Sequence, residues 1–175
     1  MIVRKATHND VPAIAKVHVD TWRIAYQGIV PDDYLANLSY EQSADGWYQL
    51  FSPDLEGGYF TYVAEQENGE IVGFATGGRE RTGNPTYKGE LTTIYILQNH
   101  QGKGIGRCLV GAVVESLHLL GMKSMLIWVL MDNPACQFYA ALGGKRVYEK
   151  EVEIGGKPLT EVAYGWIDTM SIRFS

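Results

Sequence analysis

Residues 90–120 read E-L-T-T-I-Y-I-L-Q-N-H-Q-G-K-G-I-G-R-C-L-V-G-A-V-V-E-S-L-H-L-L, and this stretch decides the fold. Leu91 to Leu97 carries β-branched and aromatic residues over the length of a strand. Gln98 to Gly106 is polar, with glycines at 102, 104 and 106. Ile105, Leu109, Val110, Val113, Val114, Leu117 and Leu120 then recur at helical spacing and form one face. A strand therefore runs into a turn of Gly102, Lys103, Gly104, Ile105 and Gly106, and the turn opens a helix of about 16 residues. The first N–H groups of a helix have no partner within it and carry partial positive charge. Glycine lets an anion approach the bare backbone. Lys103 and Arg107 add formal charge at the same place. Such a turn is a site for a phosphate or pyrophosphate.

Two common phosphate loops fail on spacing. A P-loop needs G-x-x-x-x-G-K-[ST], but Lys103 lies between glycines and no Ser or Thr follows it. A dinucleotide fingerprint needs G-x-G-x-x-G, and counting from Gly102 the last position is Arg107. The stretch resembles the pyrophosphate loop of the GNAT superfamily, the GCN5-related N-acetyltransferases. The signature there is Arg or Gln, two residues, Gly, one residue, Gly or Ala; here it is Gln101, Gly104 and Gly106. Ile94-Tyr95-Ile96 is similar to the end of the family's fourth strand.

Outward from this stretch, the chain reads as alternating periods. Ile2 to Ala6 is a short strand. Asn9 or Asp10 caps a helix with Pro12 in its first turn, running to Tyr26 with Ile14, Val17, His18, Thr21, Trp22 and Ala25 on one face. Gly28 ends it. Asp32 to Leu38 is a short helix, and Ser39 caps another over Glu41 to Phe51. Ser52-Pro53-Asp54 and Gly57-Gly58 read as a loop. Tyr59 to Glu65 and Glu70 to Gly78 are strands joined by Asn68-Gly69, a strong hairpin signal. Arg79 to Pro85 is a longer turn, and Tyr87 to Leu97 the next strand. Gly121 stops the central helix. Lys123 to Leu130 is apolar enough for a central strand. Asp132 or Asn133 caps a helix with Pro134 at its first position, running to Leu142 and stopped by Gly143-Gly144. Lys145 to Ile154 and Leu159 to Trp166 form a hairpin across Gly155-Gly156. This order predicts an α/β fold with a mixed sheet, in a single domain over 1–175. It is also the GNAT order, so the resemblance covers nearly the whole chain. It implies a mostly antiparallel seven-stranded sheet flanked by helices and splayed between strands 4 and 5.

A second block carries the resemblance. Asn133-Pro134-Ala135-Cys136-Gln137-Phe138-Tyr139-Ala140-Ala141-Leu142-Gly143-Gly144 is similar to the family's Asn, aromatic-Tyr and helix-ending Gly. Many members have one more residue between Asn and Tyr, and many end Gly-Phe.

The resemblance implies direct acetyl transfer from acetyl-CoA to an amine, without a covalent enzyme intermediate. Pantetheine then lies along Ile94, Tyr95 and Ile96. The pyrophosphate sits on Gly102, Lys103, Gly104, Ile105, Gly106 and Arg107, with Gln101 in the signature. A backbone N–H near Tyr95 or Ile96 polarises the thioester carbonyl, and Asn133 holds the arm from the neighbouring strand. Tyr139 is the candidate acid for the leaving thiolate, and Glu90 the candidate base for the ammonium. No activated Ser or Cys is evident. The acceptor side is expected between the first and second strands, where Trp22, Tyr26, Tyr34, Tyr40 and Trp47 are aromatic and Asp32 and Asp33 acidic. Trp22 and Tyr26 are the substrate-binding candidates, suited to a cationic amine.

Composition bounds the rest. The net charge is −5 with no block of like charge, which argues against a nucleic-acid surface. No apolar run is long enough to span a membrane, and the N-terminus lacks a signal core, so a cytoplasmic enzyme is expected. Cys108 and Cys136 lack metal-ligand spacing and read as thiols in a reducing compartment; no metal is expected. The leading reading is a small-molecule amine N-acetyltransferase. Its alternatives are a protein acetyltransferase acting on lysine or an N-terminus, and a non-catalytic acetyl-CoA-binding sensor. A homodimer is left open.

Overall fold

The computed structural model of the chain describes residues 1–52, 58–172 and 174. The expected loop after Ser52 falls at 53–57, outside the described residues. Strands β1 (Ile2–Lys5), β2 (Phe60–Glu65), β3 (Ile71–Arg79), β4 (Gly89–Ile96), β5 (Met125–Leu130), β6 (Lys145–Ile154) and β7 (Lys157–Trp166) form one sheet in the order β1-β2-β3-β4-β5-β7-β6. Every neighbouring pair is antiparallel except β4 and β5. Helices α1 (Val11–Ala25), α2 (Asp32–Ala36), α3 (Tyr40–Leu50), α4 (Ile105–Leu119) and α5 (Ala135–Ala141) cover it. Among the described residues, no helix is long and apolar enough to cross a membrane.

The sheet's faces are set by side-chain parity. Leu109, Val110, Val113 and Leu117 of α4, Tyr139 of α5 and Leu142 just after it pack with Ala75, Leu91, Met125, Ile127 and Val129 on one face. Val11, Ile14, Ala15 and Val17 of α1 and Trp47 of α3 pack with Val63, Ile71 and Phe74 on the other. A third cluster joins Tyr26, Val30 and Leu35 to Leu130, with Val152, Ile154 and Leu159 of the β6–β7 hairpin beneath.

Two irregularities open the sheet. β4 and β5 pair only at Gly89–Met125 and Glu90–Leu126, and then diverge. The expected splay is therefore present. Just beyond that point β4 bulges: Leu91 lies opposite Gly77 and Thr93 opposite Thr76, leaving Thr92 extra. Thr92 Oγ1 donates to Thr76 O at 3.0 Å and so keeps that carbonyl satisfied.

β6 falls at Lys145–Ile154 as expected, while several other helix and strand ends shift by a residue or more. α1 begins at Val11 after a 3-10 turn at His8–Asp10, because Asp10 is drawn back to Thr7 N–H (2.7 Å) and to Arg4 (2.8 and 2.9 Å). α2 stops at Ala36, and β7 starts two residues early at Lys157. Pro134 stands just before α5, while Asn133 Oδ1 accepts from Ala135 N–H at 2.9 Å. Asn133 thus caps the helix start as expected.

Candidate active site

The divergence of β4 and β5 leaves a cleft of about 620 Å³. Its floor is the β4 run from Thr92 to Ile96 with Leu97 just beyond, and its far wall is Ile127, Trp128 and Val129 of β5. Thr21 and Ala25 of α1 and Tyr26 just after it close one side, Asn133, Phe138 and Tyr139 another, and the Gly102–Arg107 turn one end.

Local chemistry explains the turn. Gly104 has φ +83°, and an added Cβ there would meet nothing within 4 Å. Glycine is thus needed for the backbone bend, and the surface above it is open. At Gly106 an added Cβ would lie 3.0 Å from Phe138 Cζ, so α4 and α5 approach closely only because it is glycine. Gln101 Nε2 donates to Ile96 O at 2.9 Å and ties the loop to the strand end. The first helical bond of α4 runs from Cys108 N–H to Gly104 O, which leaves the N–H groups of Ile105, Gly106 and Arg107 free of intrahelical partners. Arg107 Nε is buried without a hydrogen-bond partner among the described residues.

The centre of the cleft is aromatic. Tyr26 hydroxyl accepts from Asn133 Nδ2 at 3.2 Å, and its ring lies 4.4 Å from that of Trp22. Burial raises the Tyr26 hydroxyl above the usual phenol range, and the Asn133 contact moderates the rise. Tyr95 is raised well above it, by burial first and by Tyr26 next. His18 stacks on Tyr95 at 5.4 Å and approaches Ser43 Oγ at 2.9 Å through Nδ1. Burial pulls His18 down to about 4, so it is neutral at neutral pH. Tyr139 is only 4% exposed, and burial pushes its hydroxyl far up, which keeps it protonated. No hydrogen bond to another described residue satisfies that hydroxyl.

The structure brings most of the expected site residues together. Ile94, Tyr95, Ile96, Gln101, Gly102, Gly104, Ile105, Gly106, Arg107, Asn133, Tyr139 and Tyr26 all line the cleft. Lys103 projects from the exposed turn, and Trp22 backs Tyr26. Glu90 is separated from this set. It is 1% exposed, and its carboxylate accepts from Arg81 Nε at 3.1 Å, Nη2 at 2.6 Å and the Arg81 N–H at 3.3 Å. Both carboxylate oxygens are thus engaged by Arg81, and Glu90 does not line the cleft. The residues not foreseen are Thr21 and Thr93, each with a buried hydroxyl unpartnered among the described residues, and Trp128. Period and propensity locate such side chains on elements, but hydroxyl satisfaction depends on tertiary neighbours.

Residues 20–143 match the model of the Acetyltransferase (GNAT) family. The chain belongs to this family. It is 42% identical over 171 residues to the Bacillus subtilis (strain 168) protein named "Uncharacterized N-acetyltransferase YuaI", covering 98% of this chain and 95% of that one. Its fold matches a ribosomal-protein-alanine N-acetyltransferase from Brucella melitensis with a TM-score of 0.72 at 22% identity, covering 95% and 99% of the two chains. It also matches yncA, a putative acetyltransferase from Salmonella typhimurium solved with acetyl-CoA, with a TM-score of 0.69 at 24% identity over 97% and 94%. The protein is a GNAT N-acetyltransferase that uses acetyl-CoA.

The GNAT cleft of this chain fits that co-substrate. Free N–H groups at the start of α4 and the orphaned Arg107 Nε suit a pyrophosphate. The β4 edge beyond Glu90 faces no partner strand, so its amides are open to those of a pantetheine arm.

Proposed function

We propose that the enzyme acetylates the primary amine of a small molecule directly. The observation that carries this reading is the cover over the cleft's aromatic end. α2 and the segment before it pack on the β6–β7 hairpin through Tyr26, Val30, Leu35, Val152, Ile154 and Leu159. Lys157 Nζ donates to Ile29 O at 2.9 Å, and Gly155 sits so tightly under Pro31 and Tyr34 that an added Cβ would come within 2.9 Å of Tyr34. A polypeptide acceptor needs an open groove here, and this contact closes one.

Acetyl-CoA supplies an acetyl group on a thioester. The acceptor nitrogen bonds to the acetyl carbon, the carbon–sulfur bond breaks, and sulfur leaves with the electron pair. The N–H groups of Ile105, Gly106 and Arg107, with the Lys103 and Arg107 side chains, hold the pyrophosphate. The open edge at Ile94, Tyr95 and Ile96 orients the arm, and an N–H near Tyr95 or Ile96 takes up charge developing on the carbonyl oxygen. Asn133 is fixed by Ala135 N–H and Tyr26, which presents its amide to the cleft. Tyr139 stays protonated and donates to the leaving sulfur. The ammonium gives one proton to water before attack, since Glu90 is engaged by Arg81, and the bonded nitrogen gives a second after it, which solvent returns to the Tyr139 oxygen.

An amine-library assay with acetyl-CoA, read as free thiol, tests the reading. Turnover on small amines supports it. Turnover only on peptides favours the protein-acceptor alternative, and tight acetyl-CoA binding with no turnover favours a sensor.

A further inference from the structure

We propose that Arg81, clamped by the buried carboxylate of Glu90, is the anion-binding residue of the acceptor site, and that the acceptor is an amine bearing a carboxylate, as an amino acid does. This rests on the small-molecule reading above.

Burying a carboxylate is unfavourable unless it is paired, and an ion pair with one buried partner is a poor device for stability. Glu90 is nonetheless almost fully buried on β4, opposite Gly78 on one side and Leu126 on the other. Its partner is not buried: the Arg81 side chain is 53% exposed. What the pair achieves is orientation. A guanidinium has five N–H donors in a fixed plane. Glu90 takes Nε–H and one Nη2–H. The Nη1 edge and the second Nη2–H are left on the side away from Glu90. That edge is a fork for a second carboxylate, held in place before any ligand arrives.

The position selects the ligand. Leu91 packs into the α4 side of the sheet, so Glu90 faces the opposite side. Past the bulge, Tyr95 packs on that same opposite side, and Thr93 shares its parity. The row from the ion pair to the splay is therefore Glu90 with Arg81, then Thr93, then Tyr95. Thr93 Oγ1 is buried with no hydrogen-bond partner among the described residues, whereas buried polar groups are normally satisfied. This unmet hydroxyl, on the row between the ion pair and the cleft, calls for a polar ligand there. That ligand's anion is not the co-substrate's pyrophosphate. The phosphate turn follows the C-terminal end of β4, six residues or about 20 Å along the strand from Glu90. Thr93, at the splay, is only three residues or about 10 Å away. An amine at the splay and an anion at Arg81 thus belong to one short molecule. A carboxylate for the ammonium end is on the same face: Glu161 of β7 lies opposite Leu130, which packs on Tyr26, and is 3.4 Å from Lys150. Its charge is felt at both Tyr26 and Arg81.

The test is steady-state acetyl transfer to matched acceptors: a panel of α-amino acids, each with its α-carboxamide. The parent is expected to prefer the free acids in kcat/KM by about 10- to 100-fold, the range for a charge-assisted contact. Arg81→Gln should collapse that acid-to-amide ratio towards one, by raising KM for the acids. Glu90→Gln, which loosens Arg81, should reduce the ratio part-way. Calorimetry with acetyl-CoA separates an acceptor effect from a co-substrate effect, with affinity expected within about twofold of the parent. A parent that acetylates amines without preferring the acids overturns the proposal and leaves the amine reading standing. So does an Arg81→Gln variant that lowers acid and amide equally. A parent that binds acetyl-CoA yet acetylates no small amine overturns both. If Arg81→Gln does not fold, the parent's matched pairs decide alone.

Discussion

Replacing Tyr139 by Phe isolates one hydroxyl. The ring is 4% exposed, 5.5 Å from Phe138 and 6.0 Å from Tyr164 by centroid, and Phe retains that packing. No hydrogen bond to another described residue is lost, so stability should move by about 1 kcal/mol or less. Burial holds the hydroxyl well above the ordinary phenol range, so it is protonated throughout a neutral or mildly alkaline assay and can donate. General-acid contributions are about 10²–10⁴-fold, or roughly 3–5 kcal/mol of barrier. Tyr139→Phe should therefore lower kcat and kcat/KM by about that factor and leave acetyl-CoA affinity within about twofold. The assay is thiol release under single-turnover conditions, paired with calorimetry and a thermal melt. The parent's turnover should show no alkaline loss from a tyrosine ionising near 10. A variant that turns over within about threefold of the parent, with chemistry limiting, would refute the acid role. A loss of co-substrate affinity equal to the loss of rate would make the hydroxyl a holder of acetyl-CoA and not an acid.

Three further outcomes follow from the geometry. Gly104→Asp places a side chain and a negative charge over the open N–H groups of the turn, at a φ of +83°; acetyl-CoA binding by calorimetry should fall by at least about 100-fold while the circular dichroism spectrum is retained. Asn133→Ala removes a contact to Tyr26 and one to Ala135 N–H, so the melting point should drop by an amount equivalent to about 1–2 kcal/mol, and an unchanged melt would count against Asn133 as the link between α1 and α5. Stability should decline on acidification in two windows. His18 has a folded value of about 4, below the unfolded one, so the unfolded state binds more protons as pH falls from about 6.5 to 4. Asp10 is held at about 2, first by the Arg4 hydrogen bonds, so its contribution is present above the unfolded value near 3.8 and is lost as pH falls towards 2. Urea midpoints against pH for His18→Gln and Asp10→Asn should flatten the upper and lower windows respectively, by about 2 kcal/mol or less each.

The fold was legible because its elements carry clean periods. The α4 face repeats at helical spacing, and Asn68-Gly69 and Gly155-Gly156 each mark the turn of a hairpin that the structure contains. The phosphate turn was legible because glycine spacing and flanking charge speak for a helix N-terminus directly. Partners across the sheet were not. Leu91-Thr92-Thr93-Ile94 reads as uninterrupted β-former, and nothing in those residue types reveals that Thr92 is extra. Glu90 was read as a base from its strand position, because its grip on Arg81 depends on how the eight residues between them fold back. Trp22 and Tyr26 were both placed on the right helix, but only packing decides that Tyr26 lines the cleft and Trp22 supports it.

That one extra residue connects the fold to the chemistry. Leu91 and Ile94 both pack on the α4 side although they are three apart, which strict alternation forbids. The bulge at Thr92 restores the parity, and bulges bend and twist a strand. It sits two residues beyond the last β4–β5 backbone pair, at the point where the two strands part. On the near side of the bulge, β4 is held on both edges and carries a buried ion pair. On the far side it is held only by β3, and its other edge is open to the cleft. Rigidity and opening are thus divided within a single strand of eight residues. The held half can fix an acceptor's anion, and the open half can receive the acyl donor. The distance between the two halves is then a ruler for the acceptor's length.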